Sequence, residues 1–324
     1  MEEKKLIKEK KFVSAVIYLR NDAQYVQSFM DMITGILSSS FTDYELIFVN
    51  DASTDDSVSL VRRYIKEHKS EAGMTSIIQL SHFQGQESAM NAGRDLAIGD
   101  FVYEFDDMLI DYDPSLILEV YRKSLTGYDI VSAGADNAAS VSSKLFYRIY
   151  NSLSRSGEDI ASETFRILSR RAINQVKTID QYIPYRKAIY MNCGLDSTTL
   201  TYRSDNAMKR RSALKQRHER GSLAMDSLIY FTNAMEKLAG WICAIFAVVA
   251  IAVGADIIYE TAALSHPVEG WRSTMGFLAI GFFGVFLMLA IILRYLSMLV
   301  NLIFRRSRYL VAGIEKITSE ESHA

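Results

Sequence analysis

The sequence predicts an α/β domain built on a mainly parallel sheet with helices on both faces, followed by juxtamembrane amphipathic helices and two membrane-spanning helices. Two patterns carry this reading: strand and helix periodicities alternate along the first 135 residues, and two long apolar runs follow Leu238. In order, FVSAVIYL, YELIFVN, MTSIIQLS, DFVYEFD and YDIVSAG are short and rich in β-branched and aromatic residues, as strands are. Between them, AQYVQSFMDMITGILSS, DDSVSLVRRYIKEH, GQESAMNAGRDLAI and PSLILEVYRKS repeat apolar residues every three or four positions, which gives a helix one buried face. Strand, helix, strand at this spacing argues for parallel pairing, because parallel neighbours need a crossover connection.

Ligands of such sheets bind outside the carboxyl ends of the strands. Acidic groups stand at those ends: Asp22 after the first strand, Asp51 after the second, Asp106 and Asp107 after the fourth. A single acid there is an ordinary turn or N-cap residue. Several on one rim favour a charged ligand or a metal.

The apolar runs are LAGWICAIFAVVAIAVGADIIY from Leu238 and MGFLAIGFFGVFLMLAII from Met275. At 1.5 Å per residue each is long enough to cross a hydrocarbon core of roughly 30 Å. Asp256 is the one ionisable residue of the first, and the second has none before Arg294. The chain therefore divides into a domain at 1–205, a juxtamembrane segment at 206–237, spans at about 238–259 and 275–296 within 238–304, and a tail at 305–324. Lys209, Arg210, Arg211, Lys215, Arg217 and Arg220 precede the first span, and Arg305, Arg306 and Arg308 follow the second. By the positive-inside rule both the domain and the tail face the cytoplasm of an inner or plasma membrane. Trp241 and Trp271 fall where interfacial aromatics belong. From Asn206 to Phe231 basic side chains alternate with Leu214, Leu223, Met225 and Leu228, an interfacial amphipathic pattern. The charged opening MEEKKLIKEKK leads straight into a strand and does not read as a signal peptide.

Other chemistries find little support. A net charge of −2 makes no case for nucleic acid, and Cys193 and Cys243 form no CxxC. The five histidines lack metal-ligand spacing, and GQESAMNAG is not a dinucleotide fingerprint.

Several segments resemble family 2 glycosyltransferases. VIYLRNDAQYV is similar to their VIPxYNE opening, VNDASTDDS to VDDGSxDxS, LSHFQGQESAMNAG to LSRNFGKEAALLAG, and FDDMLIDYDPSLI to MDADLQDPPELI. SSKLFYRIYNSLS and TFRILSRRAIN are similar to segments of the polyprenyl-phosphate (dolichyl-phosphate) branch, which carries two C-terminal membrane helices. The likeness runs from about Phe12 to Phe304. It implies a GT-A (nucleotide-diphospho-sugar transferase) fold and inverting transfer of a sugar from a UDP- or GDP-sugar to polyprenyl phosphate at the cytoplasmic leaflet, a step of cell-envelope polysaccharide assembly. The partners it implies are the donor, the lipid and the membrane, and it allows a homo-oligomer. Asp22, Asp51, Ser53, Gln86 and Asp106 take nucleotide-binding positions, Asp106 and Arg166 catalytic ones, and Arg210 and Arg211 are candidates for the lipid phosphate or diphosphate.

The resemblance also exposes departures. In the family's Asp-x-Asp, residues i and i+2 of an extended strand point the same way and share one Mg²⁺ or Mn²⁺. Here Asp106 takes the first place and Met108 the second, so a turn after Phe105 would have to bring Asp107 or Asp111 to the metal. If Asp106 alone holds the metal, Met108→Asp rebuilds the pair and tightens metal-dependent donor binding; if Asp107 replaces the missing acid, it adds a third carboxylate with little gain. Asn50 replaces an aspartate, and Thr164, with Glu163 before it, replaces the proposed base. A lipid phosphate, with a second pKa of about 6, is already mostly ionised at neutral pH and needs little help from a base. The alternative is a catalytically eroded homologue that binds a nucleotide sugar, a lipid phosphate or a partner transferase without turnover.

Overall fold

The computed structural model describes residues 8–68, 73–135, 163–178, 186–204, 271–304 and 309–317, with isolated positions between 241 and 255. The chain separates into two compact units: Met1–Ser152 with Ser156–Ala224 and Ser307–Ala324, and Leu153–Arg155 with Met225–Arg306.

The first unit contains β1 (Val13–Leu19), α1 (Ala23–Ser40), β2 (Tyr44–Asn50), α2 (Ser57–Glu67), β3 (Met74–Leu80), α3 (Gln86–Leu96), β4 (Phe101–Phe105), α4 (Ser115–Ser124) and β5 (Ile130–Ala135). These are the five strands and four helices expected from periodicity. There follow β6 (Phe165–Ser169), α5 (Arg170–Thr178), α6 (Arg186–Asn192), β7 (Ser197–Tyr202) and, after the second unit, β8 (Val311–Ile317). The sheet order is β7-β5-β6-β4-β1-β2-β3-β8. β1 pairs in parallel with β2 and β4, and β2 with β3. β6 is antiparallel to β4 and β5, β7 is parallel to β5, and β8 is antiparallel to β3. The sheet is mainly parallel, as predicted: of its eight strands, β6 and β8 run against the other six.

β1, β2 and β5 are buried at every residue, as strands covered on both faces must be. Phe29, Met30, Ile33 and Leu37 of α1 fill one side of the core, with Phe48, Tyr103 and Phe105 from the sheet. On α3, Gly93 allows close approach: a Cβ there would lie 2.3 Å from Val16 Cγ1 and 2.8 Å from Val49 Cγ2.

Part of the expected tail at 305–324 is a strand of the sheet. Val311–Ile317 is an edge strand of the first unit, held also by a two-pronged contact of Arg62 with Glu315 at 2.7 Å. Its side chains are mostly exposed, so it lacks the alternating apolar pattern that would have marked it as a strand.

In the second unit α7 (Trp271–Phe304) contains the second expected span, and Phe282, Phe283, Val285 and Phe286 are among its exposed side chains. Among the described residues no helix is long and apolar enough to cross a membrane. Most of the first expected span and all of 206–237 lie outside the described residues.

The Gly93 contact yields a test. Gly93→Ala should lower stability by about 1–3 kcal/mol through overpacking against Val16. Adding Val16→Ala should recover part of the loss, read as the midpoint of thermal unfolding.

Candidate functional site at the strand ends

The carboxyl ends of β1, β2 and β4 meet the loop before α3. Asp51, just past β2, has no exposed surface. Its Oδ1 accepts from the Gln84 backbone N–H at 2.7 Å, and its Oδ2 from the Gly85 N–H at 2.9 Å and the Tyr18 hydroxyl at 3.0 Å. A carboxylate with three internal donors positions the loop rather than facing a ligand. The loop can turn because Gly85 takes φ +87°. Ser53 Oγ accepts from the Asn21 N–H at 3.2 Å, and the Ser53 N–H donates to Asn50 Oδ1 at 3.0 Å. Asn50 therefore keeps a turn-forming role where the family's aspartate stands. Arg20 donates to the carbonyls of Asp51 and Ala52 and lies over the Phe83 ring, 3.9 Å from its centroid.

Asp22, at the N-cap of α1, accepts from the Arg20 N–H at 3.0 Å. Burial pushes its pKa up to about 6; the Arg20 hydrogen bond opposes this and the nearby Asp55 carboxylate adds to it.

The second half of the site is an ion cluster. Asp106 follows the last residue of β4 with 15% of its side chain exposed, while Glu104, two residues earlier, has none. Glu104 Oε2 accepts from Arg166 Nη1 at 2.8 Å and Arg186 Nη1 at 2.6 Å, and its Oε1 from the Tyr190 hydroxyl at 2.8 Å. Arg94 Nη1 donates to the Tyr190 oxygen at 2.7 Å. The same two arginines reach Asp106: Arg186 Nη2 to Oδ1 at 2.8 Å and Arg166 Nη2 to Oδ2 at 3.2 Å. Arg186 also binds Glu87 at 2.9 Å and Arg166 binds Glu163 at 3.1 Å. Burial alone would raise the pKa of Asp106, but the Arg166 and Arg186 guanidiniums outweigh it and hold the carboxyl well below the usual carboxylate range. Glu104 is lowered by the same balance of burial against Arg186, Arg166 and Arg94. Gln86 joins the two halves by donating from Nε2 to the Asp106 carbonyl at 2.8 Å.

Asp51, Gln86, Asp106 and Arg166 therefore belong to one connected rim. Arg166, however, is fully buried and committed to three carboxylates, those of Glu104, Asp106 and Glu163. Arg210 and Arg211 lie outside the described residues. Sequence reasoning missed Arg186, Arg94, Tyr190 and Glu104. The last was findable: the i, i+2 rule pairs Asp106 backward with Glu104 as readily as forward with Met108.

Met108 is fully buried in the core and is not part of the rim. β4 does end at Phe105, but Asp107 Oδ1 accepts from the Leu109 N–H at 3.1 Å and Asp111 Oδ1 from the Tyr202 hydroxyl at 2.8 Å. Among the described residues no group of three or more His, Cys, Asp and Glu side chains is placed to hold a metal ion. The donor set fits a cation that arrives with phosphate oxygens and uses Asp106 as its one carboxylate, since each oxygen keeps a lone pair beyond its guanidinium bond.

The profile of glycosyl transferase family 2 matches residues 14–216. An uncharacterized glycosyltransferase of Synechocystis sp., sll0501, is 26% identical over 321 residues, covering 95% of this chain and 98% of its own. The bactoprenol glucosyl transferase of Shigella phage SfV is 22% identical over 272 residues, 81% of this chain and 86% of its own. The mannosyltransferase PcManGT of Pyrobaculum calidifontis, solved with GDP-Man and Mn²⁺, superposes with a TM-score of 0.53 at 16% identity, over 92% of this chain and 88% of its own. It has the same mixed α/β, GT-A-like fold.

Three outcomes are expected. Met108→Asp should destabilise the domain by several kcal/mol, about the cost of burying an unpaired carboxylate, and should not improve metal binding. Arg186→Met should cost about 3–5 kcal/mol at pH 7 by removing one of the two guanidiniums shared by Glu104 and Asp106, which leaves negative charge in excess in the buried cluster. Because the folded-state pKa values of Glu104 and Asp106 are depressed, the stability they contribute is present above about pH 4 and is lost as pH falls through their lowered values. The wild-type advantage over Arg186→Met should shrink accordingly in acid denaturation curves. Asp22 has the opposite sign: its neutral form favours folding below its ordinary value of 3.8, and this is lost as pH rises through about 6. Asp22→Asn should therefore stabilise above pH 6, by about 1–3 kcal/mol, and change little below pH 4.

Proposed function

The chain belongs to glycosyl transferase family 2, and from that premise we propose that it moves a sugar from a UDP- or GDP-sugar to polyprenyl phosphate at the cytoplasmic leaflet, with inversion. The observation that carries the reading is the ionised Asp106 at the β4 end, oriented by two buried guanidiniums and joined through Gln86 to the loop on Asp51. In the step proposed, a phosphate oxygen of the lipid attacks the anomeric carbon while the bond to the diphosphate breaks, and the nucleoside diphosphate leaves with the electron pair. The lipid phosphate brings its own charge, so Thr164, whose Oγ1 lies 2.7 Å from the Tyr202 hydroxyl, need not act as base. Charge growing on the diphosphate requires cations. Arg210 and Arg211 are assigned to that charge or to the lipid phosphate; Mg²⁺ or Mn²⁺, when bound at Asp106, would supply further neutralisation.

The relative named as a bactoprenol glucosyl transferase supports a lipid acceptor, and the exposed apolar face of α7 supports membrane attachment. The return of the chain to the first sheet as β8 supports an even number of crossings, with domain and tail on one side. Binding without turnover is the second reading, favoured by Met108 in the core and by the occupation of both Asp106 oxygens.

The test is incubation of the full chain in detergent with polyprenyl phosphate and a panel of UDP- and GDP-sugars, with Mg²⁺, Mn²⁺ or chelator. Lipid-linked sugar should form with one donor, and Asp106→Asn should reduce the rate by about 10²-fold or more, the scale of one lost charge-stabilising contact. Donor binding by calorimetry without any product would favour the second reading. Neither binding nor product would reject both.

A further inference from the structure

The loop Ser81–Gln86 is held from two directions. Inside, its Gln84 and Gly85 N–H groups bind Asp51 and its Gln86 side chain binds the Asp106 carbonyl. Outside, it binds a residue more than two hundred positions later. The Gln84 side chain donates from Nε2 to the Leu310 carbonyl at 2.7 Å and accepts from the Leu310 N–H at Oε1, also at 2.7 Å. Ser81 donates to the same carbonyl from its N–H at 3.1 Å and its hydroxyl at 3.2 Å. Leu310 immediately precedes β8, whose pairing with β3 fixes its position, and the Tyr309 hydroxyl donates to Asp95 on α3 at 3.0 Å.

We propose that Gln84 is a positioning residue for donor binding: by clipping Leu310 it makes the C-terminal strand part of the donor site. The two-point amide contact imitates a strand pair, and it is made by the side chain of a residue whose backbone N–H is bound to Asp51. Releasing Leu310 frees the loop that links the β2 and β4 ends. An exposed strand far from the chemistry thereby sets donor affinity. This rests on the donor reading above, and the test separates the two.

Wild type, Gln84→Leu, Leu310→Pro and the double variant are compared as full chains in detergent. Gln84→Leu removes both side-chain hydrogen bonds, and Leu310→Pro removes the one Leu310 donates. UDP and GDP affinity should fall about tenfold in each single variant, the scale of one or two hydrogen bonds, and no further in the double. The loss should appear in KM for the donor rather than in kcat or in KM for the lipid. A change in fold stability alone would instead lower the melting temperature without this split. Nucleotide affinity unchanged in the single variants, or losses that add in the double, would overturn the proposal. Amide exchange at 81–86 needs no nucleotide: faster exchange in the variants, with no wild-type binding of UDP or GDP, would retain the clip but overturn its donor role together with the donor reading. Exchange unchanged in every variant would overturn the clip itself.

Discussion

A carboxylate with no access to water sits under the rim of this sheet, and the site is arranged around its neutralisation. Glu104 cannot stay ionised in an apolar interior without cations in contact, and Arg166 and Arg186 supply them from β6 and α6. Each guanidinium has further donors to satisfy, and Asp106 is the next acceptor on the same face of the strand. Two arginines thus bind two acids spaced by one residue. This ties two elements distant in sequence, β6 and α6, to the end of β4 and leaves Asp106 charged at the surface.

That arrangement changes how the departures from the family pattern read. An aspartate in place of Met108 would sit fully buried in the hydrophobic core. The acid pair on the strand is Glu104 with Asp106, and its inner member is occupied by arginine. Charge at the rim is therefore organised by a balanced network rather than by a cage of carboxylates. Such a network is costly to break at one member, because each deletion strands an opposite charge.

The rim's other half is built from backbone. Asp51 gathers two N–H groups and a hydroxyl, Gly85 supplies the left-handed turn, and Leu310 completes the loop from the far end of the chain. Hydrogen bonds to main-chain groups tolerate many side chains, so Asn50 and Ala52 can stand where the family carries other residues while the turn persists.

The periodicities of the first 135 residues were enough to place β1 to β5 and α1 to α4, because buried strands and one-faced helices must write their burial into local spacing. The family likeness was legible in the same way, since its motifs are short and local. Legible too was the placing of Asp51 and Asp106 just past the ends of their strands. β7 and β8 were not, because partly exposed strands need no apolar alternation and are stabilised by partners elsewhere in the chain. Nor were the roles of Arg94, Arg166, Arg186 and Glu104: a charged residue in a sequence looks like surface until the fold shows that its counter-charge lies within 3 Å, as Arg186 lies from Glu104 at 2.6 Å. Periodicity records what each segment buries. Which charges meet is decided by contacts across tens of residues, and those exist only once the sheet has formed.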